Sequence, residues 1–316
     1  MNLIKLKKIS KKTIIISGTN RSGKSLISPI VSSLKNVNHF IFNYDLERVL
    51  QLNYLKKIDN KSFFYLFNKF ASNVIYEKAI GRSINMIKDD YSSMFRYGNS
   101  IEILSKIGQS PPTKNQFLKS VDKSYHPFFI HNALLFYNNI SKVFSHLKFI
   151  HMVRDPVEVI YSWYQKKIFS KNLTTNLNIE SVTYKNKNMT FPYWIKNLKY
   201  QPKNDMDDVF LSYQQANNKN LTLFKKYKNK KNILIVDYRS ILSDPKINIS
   251  RIEKFLKTDV SKKTSLILKN EKCPRYFDKK DYDKKIQFIE QKISSKLKKD
   301  FRKEINLYKL FISEYA

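Results

Sequence analysis

The stretch Ile14–Ser28, IIISGTNRSGKSLIS, decides how this chain is read. Three consecutive isoleucines favour an extended strand, Gly18 ends it, and Ser25–Leu34 follows with helix-like apolar spacing. The order is strand, glycine-bearing loop, helix. Two of the chain's five glycines, Gly18 and Gly23, bound this loop in a sequence otherwise poor in glycine. Such a loop turns tightly and aims backbone N–H groups at an anion at the helix N-terminus. Asn20, Arg21, Ser22, Gly23, Lys24 and Ser25 are therefore the candidate ligands of a phosphate-like group.

Gly18, Gly23, Lys24 and Ser25 also satisfy G-x-x-x-x-G-K-[ST], the phosphate loop of ATP- and GTP-hydrolysing proteins. On a kinase or NTPase reading, Lys24 takes the β- and γ-phosphates, Ser25 takes magnesium, and Asp237, after the apolar run ILIV, stands behind the metal. Asp237 is far from the loop in sequence for a small kinase, and any buried strand ending in Asp fits so loose a pattern.

Elsewhere, strands and helices alternate. HFIFNY (His39–Tyr44), LKFIHMV (Leu147–Val153) and NILIVDY (Asn232–Tyr238) read as strands; about 46–107, 132–144, 207–227 and 247–256 read as helical. This implies an α/β fold, a central parallel sheet flanked by helices on both sides. We expect a single domain over 1–316, with a basic lead at 1–12, a mobile polar insertion at 171–188 and a C-terminal helix over 281–316. GQSPPTKNQ (Gly108–Gln116) is the clearest break.

The formal net charge is +33. The excess is mostly Lys, scattered among Asn and Ile, so two readings stand: a base-composition bias of the source genome, or a surface for an acidic partner. A basic nucleic-acid-binding protein remains a third functional alternative. Cys273 is the only cysteine, which excludes an intrachain disulfide and a multi-cysteine zinc site and fits a reducing compartment. No run approaches the roughly 18–20 apolar residues of a membrane span. The expectation is a soluble, cytoplasmic protein, touching an anionic membrane surface at most through KLKKISKK.

A second anion site is legible in KFIHMVRDPVEVIYSWYQ, Lys148–Gln165. Arg154 ends a buried strand, Asp155 is placed to cap the next helix, Pro156 suits its first position, and Ser162 follows two turns on. A guanidinium and a hydroxyl then converge on one anion from strand end and helix face.

At this point the chain resembles the sulfotransferases that use 3′-phosphoadenylyl sulfate (PAPS). Their phosphosulfate loop is similar to RSGKS, Arg21–Ser25. Their Arg-Asp-Pro motif with a Ser eight residues on resembles RDPVEVIYS, Arg154–Ser162. YSWYQ looks like glycan-modifying members, and ILIVDYRSILSDPKINISRIEKFL resembles the family's later strand and helix. The resemblance covers about 13–256 and implies a P-loop-like sulfotransferase fold with PAPS as donor and the bisphosphate PAP as product. It further implies that Arg21, with Lys24 beside it, stabilises the leaving group, that Arg154 and Ser162 hold the 3′-phosphate, that Asp237 belongs to a core strand, and that no metal is needed. The implied partner is a hydroxyl-bearing acceptor such as a glycan or lipid-linked sugar rather than a nucleic acid. Lys24 departs from the family, which usually has Thr there. For the general base, VDKSYHPFF (Val121–Phe129) offers Asp122 and His126; His151, within an apolar strand, reads as core.

Overall fold

A computed structural model describes residues 12–82, 84–88, 90–95, 104–105, 109–144, 146–168, 181–184, 187–195 and 200–315. The basic lead therefore lies outside the described residues apart from Lys12, as does most of 171–188. Five strands form one sheet: β1 (Lys12–Gly18), β2 (Ile41–Phe42), β3 (His126–His131), β4 (His146–Val153) and β7 (Ile233–Asp237). Their order is β2-β3-β1-β4-β7, and every pairing is parallel.

Alternation along the strands feeds two cores. Ile15, Phe128, Ile130 and Phe149 point to one face, and Ile14, Ile16, Phe129, Ile150 and Met152 to the other. Both faces are covered, as an all-parallel sheet requires. On the first face lie α2 (Tyr44–Tyr54), α3 (Asn60–Ala79), α6 (Pro156–Gln165), α7 (Asp205–Tyr227) and α12 (Ser295–Tyr315). On the second lie α1 (Lys24–Ser32), α9 (Pro245–Leu256) and α10 (Lys262–Asn270). The remaining helices are α4 (Lys114–Val121), α5 (Tyr137–Val143), α8 (Tyr238–Ser243) and α11 (Lys279–Lys292).

Several elements differ from the sequence reading. Within the helical region expected over 46–107, α2 and α3 are separate helices and α3 ends at Ala79: Asp59 caps the start of α3 through Lys61 N and Ser62 N, so the chain turns between them. The tail helix also divides, because Ser294 donates N–H and hydroxyl bonds to the Asp207 carboxylate, at 2.9 and 2.6 Å, and this pins the break. At the end of the polar insertion and just beyond it, Ser181–Tyr184 and Lys187–Pro192 pair antiparallel as β5 and β6; cross-strand pairing overrides a composition that suggests only mobility.

β1 lies between β3 and β4, and the chain leaves it toward both sides. The C-terminal ends of these three strands therefore flank one crevice, the position at which open parallel sheets bind ligands.

Candidate active site

The loop after β1 is held in its shape from several directions. Gly18 has φ +150°, and a Cβ there would come 2.3 Å from Ser22 Oγ and 2.7 Å from the Met152 carbonyl. Gly23 has φ +102° and its Cβ would meet the Tyr238 ring at 2.2 Å. Both positions exclude a side chain. Trp163 Nε1 donates to the Asn20 carbonyl at 2.8 Å, and Arg154 Nη1 to the Arg21 carbonyl at 2.9 Å. Helix α1 begins at Lys24 with no side-chain cap, so its first-turn N–H groups face the loop. Asn20 Oδ1 and Ser22 Oγ are buried without a hydrogen-bond partner. In a cradle that no Cβ fits, the Ser22 hydroxyl is free to donate to an oxyanion-bearing group, and Asn20 Oδ1 to accept from a hydroxyl that such a group carries.

Lys24 is turned inward. Its Nζ donates to the carbonyls of Gly18 and Thr19, at 2.9 and 2.6 Å, and only 2% of the residue is exposed. Burial lowers its pKa to about 7, with Glu47 acting against the shift and Arg21 adding to it. Ser25 is exposed on the first turn.

Arg154, at the end of β4, and Ser162, on α6, stand beside the loop. Asp155 accepts Val157 N and caps α6. Arg21 Nε donates to Ser162 Oγ at 2.9 Å, which joins the two anion sites directly. Arg154 Nη2 pairs with Glu158 at 2.9 Å, and Arg154 Nε is buried without a partner. The guanidinium also lies over Tyr238. Asp155 bonds Arg239 and Tyr282 and leaves Arg154 to Glu158. The loop and clasp residues named from the sequence are thus brought together.

Asp122 and His126 are not. His126 is the first residue of β3, paired with Thr13 at the N-terminal edge of the sheet. At about 3.3 Å per residue that is roughly 16 Å from Gly18. Its Nε2 lies 3.0 Å from the Val121 carbonyl and its Nδ1 3.2 Å from Asn38 Nδ2, so both ring nitrogens are engaged. Asp122 is exposed at the end of α4, at the same edge. The C-terminal end of β3, not its start, reaches the loop.

That end is His131, which pairs in register with Gly18. The next residue, Asn132, donates its N–H to the Gly18 carbonyl at 2.9 Å. His131 Nδ1 lies 2.8 Å from Glu47 Oε1, and the same oxygen accepts the His131 backbone N–H at 2.6 Å. Nε2 has no hydrogen-bond partner among the described residues. Burial lowers the ring pKa, Lys24 lowers it further, and Glu47 opposes both, so the imidazole is neutral at pH 7.

The family model described as the sulfotransferase domain matches residues 11–307. The chain belongs to the sulfotransferase family. Similar solved structures include the sulfotransferase domain from the curacin biosynthetic pathway, 11% identical over 84% of this chain and 78% of that one, TM-score 0.46. Sulfotransferase STF9 from Mycobacterium avium is 11% identical, covering 90% and 78%, TM-score 0.43. Retinol dehydratase in complex with androsterone and inactive cofactor PAP is 13% identical, covering 96% and 81%, TM-score 0.39. No curated protein matches the chain.

Two other residues of this sulfotransferase weighed from the sequence, Asp237 and His151, are held in its interior. Asp237 is the N-cap of α8, with one oxygen on Ser240 N at 2.8 Å and the other accepting the Tyr308 hydroxyl at 2.5 Å, so it serves the core. His151 is 2% exposed, 3.2 Å from Ser17 Oγ, and burial lowers its pKa to about 3. No helix among the described residues is long and apolar enough to cross a membrane. His131 and Glu47, which the sequence reading did not name, lie beside the glycine loop. A signal exists for each: His131 closes the strand HPFFIH on the ligand-binding side of a parallel sheet, and Glu47 interrupts the apolar stripe Leu46, Val49, Leu50.

Proposed function

We propose that this sulfotransferase moves a sulfuryl group from PAPS to a hydroxyl of a carbohydrate acceptor, with His131 as the general base. The observation that carries the reading is the Arg21–Ser162 bond at 2.9 Å, which makes the glycine loop and the Arg154 clasp two halves of one site. A donor with a phosphosulfate at one end and a 3′-phosphate at the other needs two such halves; a plain triphosphate needs one. The high positive charge suits an acidic glycan.

The donor supplies an electrophilic sulfur on a good leaving group. The acceptor oxygen forms its bond to sulfur as the bond from sulfur to the 5′-phosphate oxygen breaks, and the electron pair goes to that phosphate. Arg21, Lys24 and the first N–H groups of α1 are the cations and donors that would meet this charge; what supports the assignment is that all three belong to the loop after β1 and the helix it opens. Donors so placed are typically worth about 3–4 kcal/mol each. The acceptor proton passes to Nε2 of His131, the ring nitrogen without a partner.

Titration with PAP and with ATP plus magnesium tests the donor half: metal-independent binding of PAP alone is expected, and the reverse preference overturns it. A screen with sulfur-labelled PAPS against glycans, lipids and small phenols tests the acceptor. Label confined to lipids or phenols overturns the carbohydrate assignment.

A further inference from the structure

We propose that Glu47 is a positioning residue for His131, fixing which ring nitrogen carries the proton and balancing the charge the ring acquires during transfer. The inference rests on the reading of His131 as the base.

The carboxylate binds His131 twice through a single oxygen, Oε1, taking both the backbone N–H and Nδ1. The pair sets the ring's position relative to its own main chain. An ionised carboxylate only accepts, so Nδ1 must carry the hydrogen and Nε2 must present a lone pair. Glu47 cannot drift: it is 1% exposed on α2, whose start is fixed by Asn43 accepting Leu46 N at 3.0 Å, and Leu46, Val49 and Leu50 beside it are in the core.

The second oxygen argues for more than a structural pin. Glu47 Oε2 is buried with no hydrogen-bond partner. A carboxylate retained only for packing would be satisfied at both oxygens or replaced by an amide. A surplus of negative charge beside a neutral imidazole is of use when that imidazole becomes imidazolium. The proton then sits on Nε2, Nδ1–H stays on Oε1, and Glu47 remains ionised. The titratable groups around the pair are Lys24 from α1, Tyr44 and Tyr54 from α2, and Tyr193 after β6. Only Lys24 is cationic, and it pushes the ring toward the neutral form, whereas Glu47 pulls the other way.

The test uses the full chain labelled with nitrogen-15, reading the His131 ring nitrogens across pH, together with hydrolysis of PAPS, in which water is the acceptor hydroxyl. In the wild type the neutral ring is expected as the Nδ1–H tautomer. Glu47→Gln keeps the shape and removes the charge, so the His131 pKa should fall by about one unit and the hydrolysis rate at saturating donor by at least roughly tenfold. Glu47→Asp keeps the charge and should retain the ring's titration, which separates a general folding defect from loss of charge. Ring titration and rate within twofold of wild type in Glu47→Gln, with His131→Asn inactive, overturn the role of Glu47 and leave the base standing. A fully active His131→Asn overturns the base, while the ring spectra still decide whether Glu47 sets the tautomer.

Discussion

The Arg154 guanidinium lies 4.2 Å from the centre of the Tyr238 ring, and that ring fills the space where Gly23 has no Cβ. One aromatic side chain therefore braces the glycine loop and the clasp together. Gly23→Ala should displace Tyr238, at a cost of about 1–3 kcal/mol for the φ alone. A lowered melting temperature together with weaker PAP binding is expected, measured by calorimetry.

Arg154→Ala should separate the two halves of the site. Loss of charge-assisted bonds is worth about 2–3 kcal/mol, near 100-fold in affinity. That loss should be larger for a 3′,5′-bisphosphate nucleotide than for the 5′-monophosphate, which loses only the support that Arg154 gives the loop through the Arg21 carbonyl. Titration calorimetry with the two nucleotides checks it; equal losses for both would contradict the division.

Lys24 is held near pKa 7 by burial. An anion in the loop favours the charged form, so nucleotide binding should raise this pKa and take up close to one proton at pH 7.5–8. Below pH 6 the lysine is already charged and uptake should vanish. Heats measured in buffers of different ionisation enthalpy report the uptake, and Lys24→Met should abolish it.

His131 titrates below its ordinary value of 6.5. The rate of transfer should accordingly be level through pH 7 and fall only as the solution becomes acidic enough to protonate the ring. Removing the base by His131→Asn should cost about 10²–10⁴ in rate. His126→Asn, at the far edge of the sheet, should leave the pH profile where it is.

Trp163→Phe keeps the ring but loses the 2.8 Å bond to the Asn20 carbonyl. About 1 kcal/mol of stability should go with it, and the freed loop should bind donor less tightly. Thermal melts with and without PAP measure both effects.

The phosphate-binding half of the site was legible because its grammar is local. Ile14–Ser28 and Lys148–Gln165 each contain a strand, a turn and a helix start, and the candidate anion ligands fall at the junctions. The base was harder. Glu47, His131 and Lys24 come from three elements that meet only once β3 has paired beside β1, and nothing in HPFFIH marks which end faces the ligand until strand direction is known. His126 and His131 stand at opposite ends of the same strand, and only His131 pairs beside Gly18. The hairpin at 181–192 was hidden for a different reason, since its pairing partner lies within its own polar segment.

The placement of His126 and Asp122 at the opposite edge has a practical consequence. Asp122 and Lys123 are exposed, and a full strand separates them from the crevice. A fluorophore or an immobilising tether attached there would report on the protein, or fix it to a support, while leaving nucleotide and acceptor to enter from the other end.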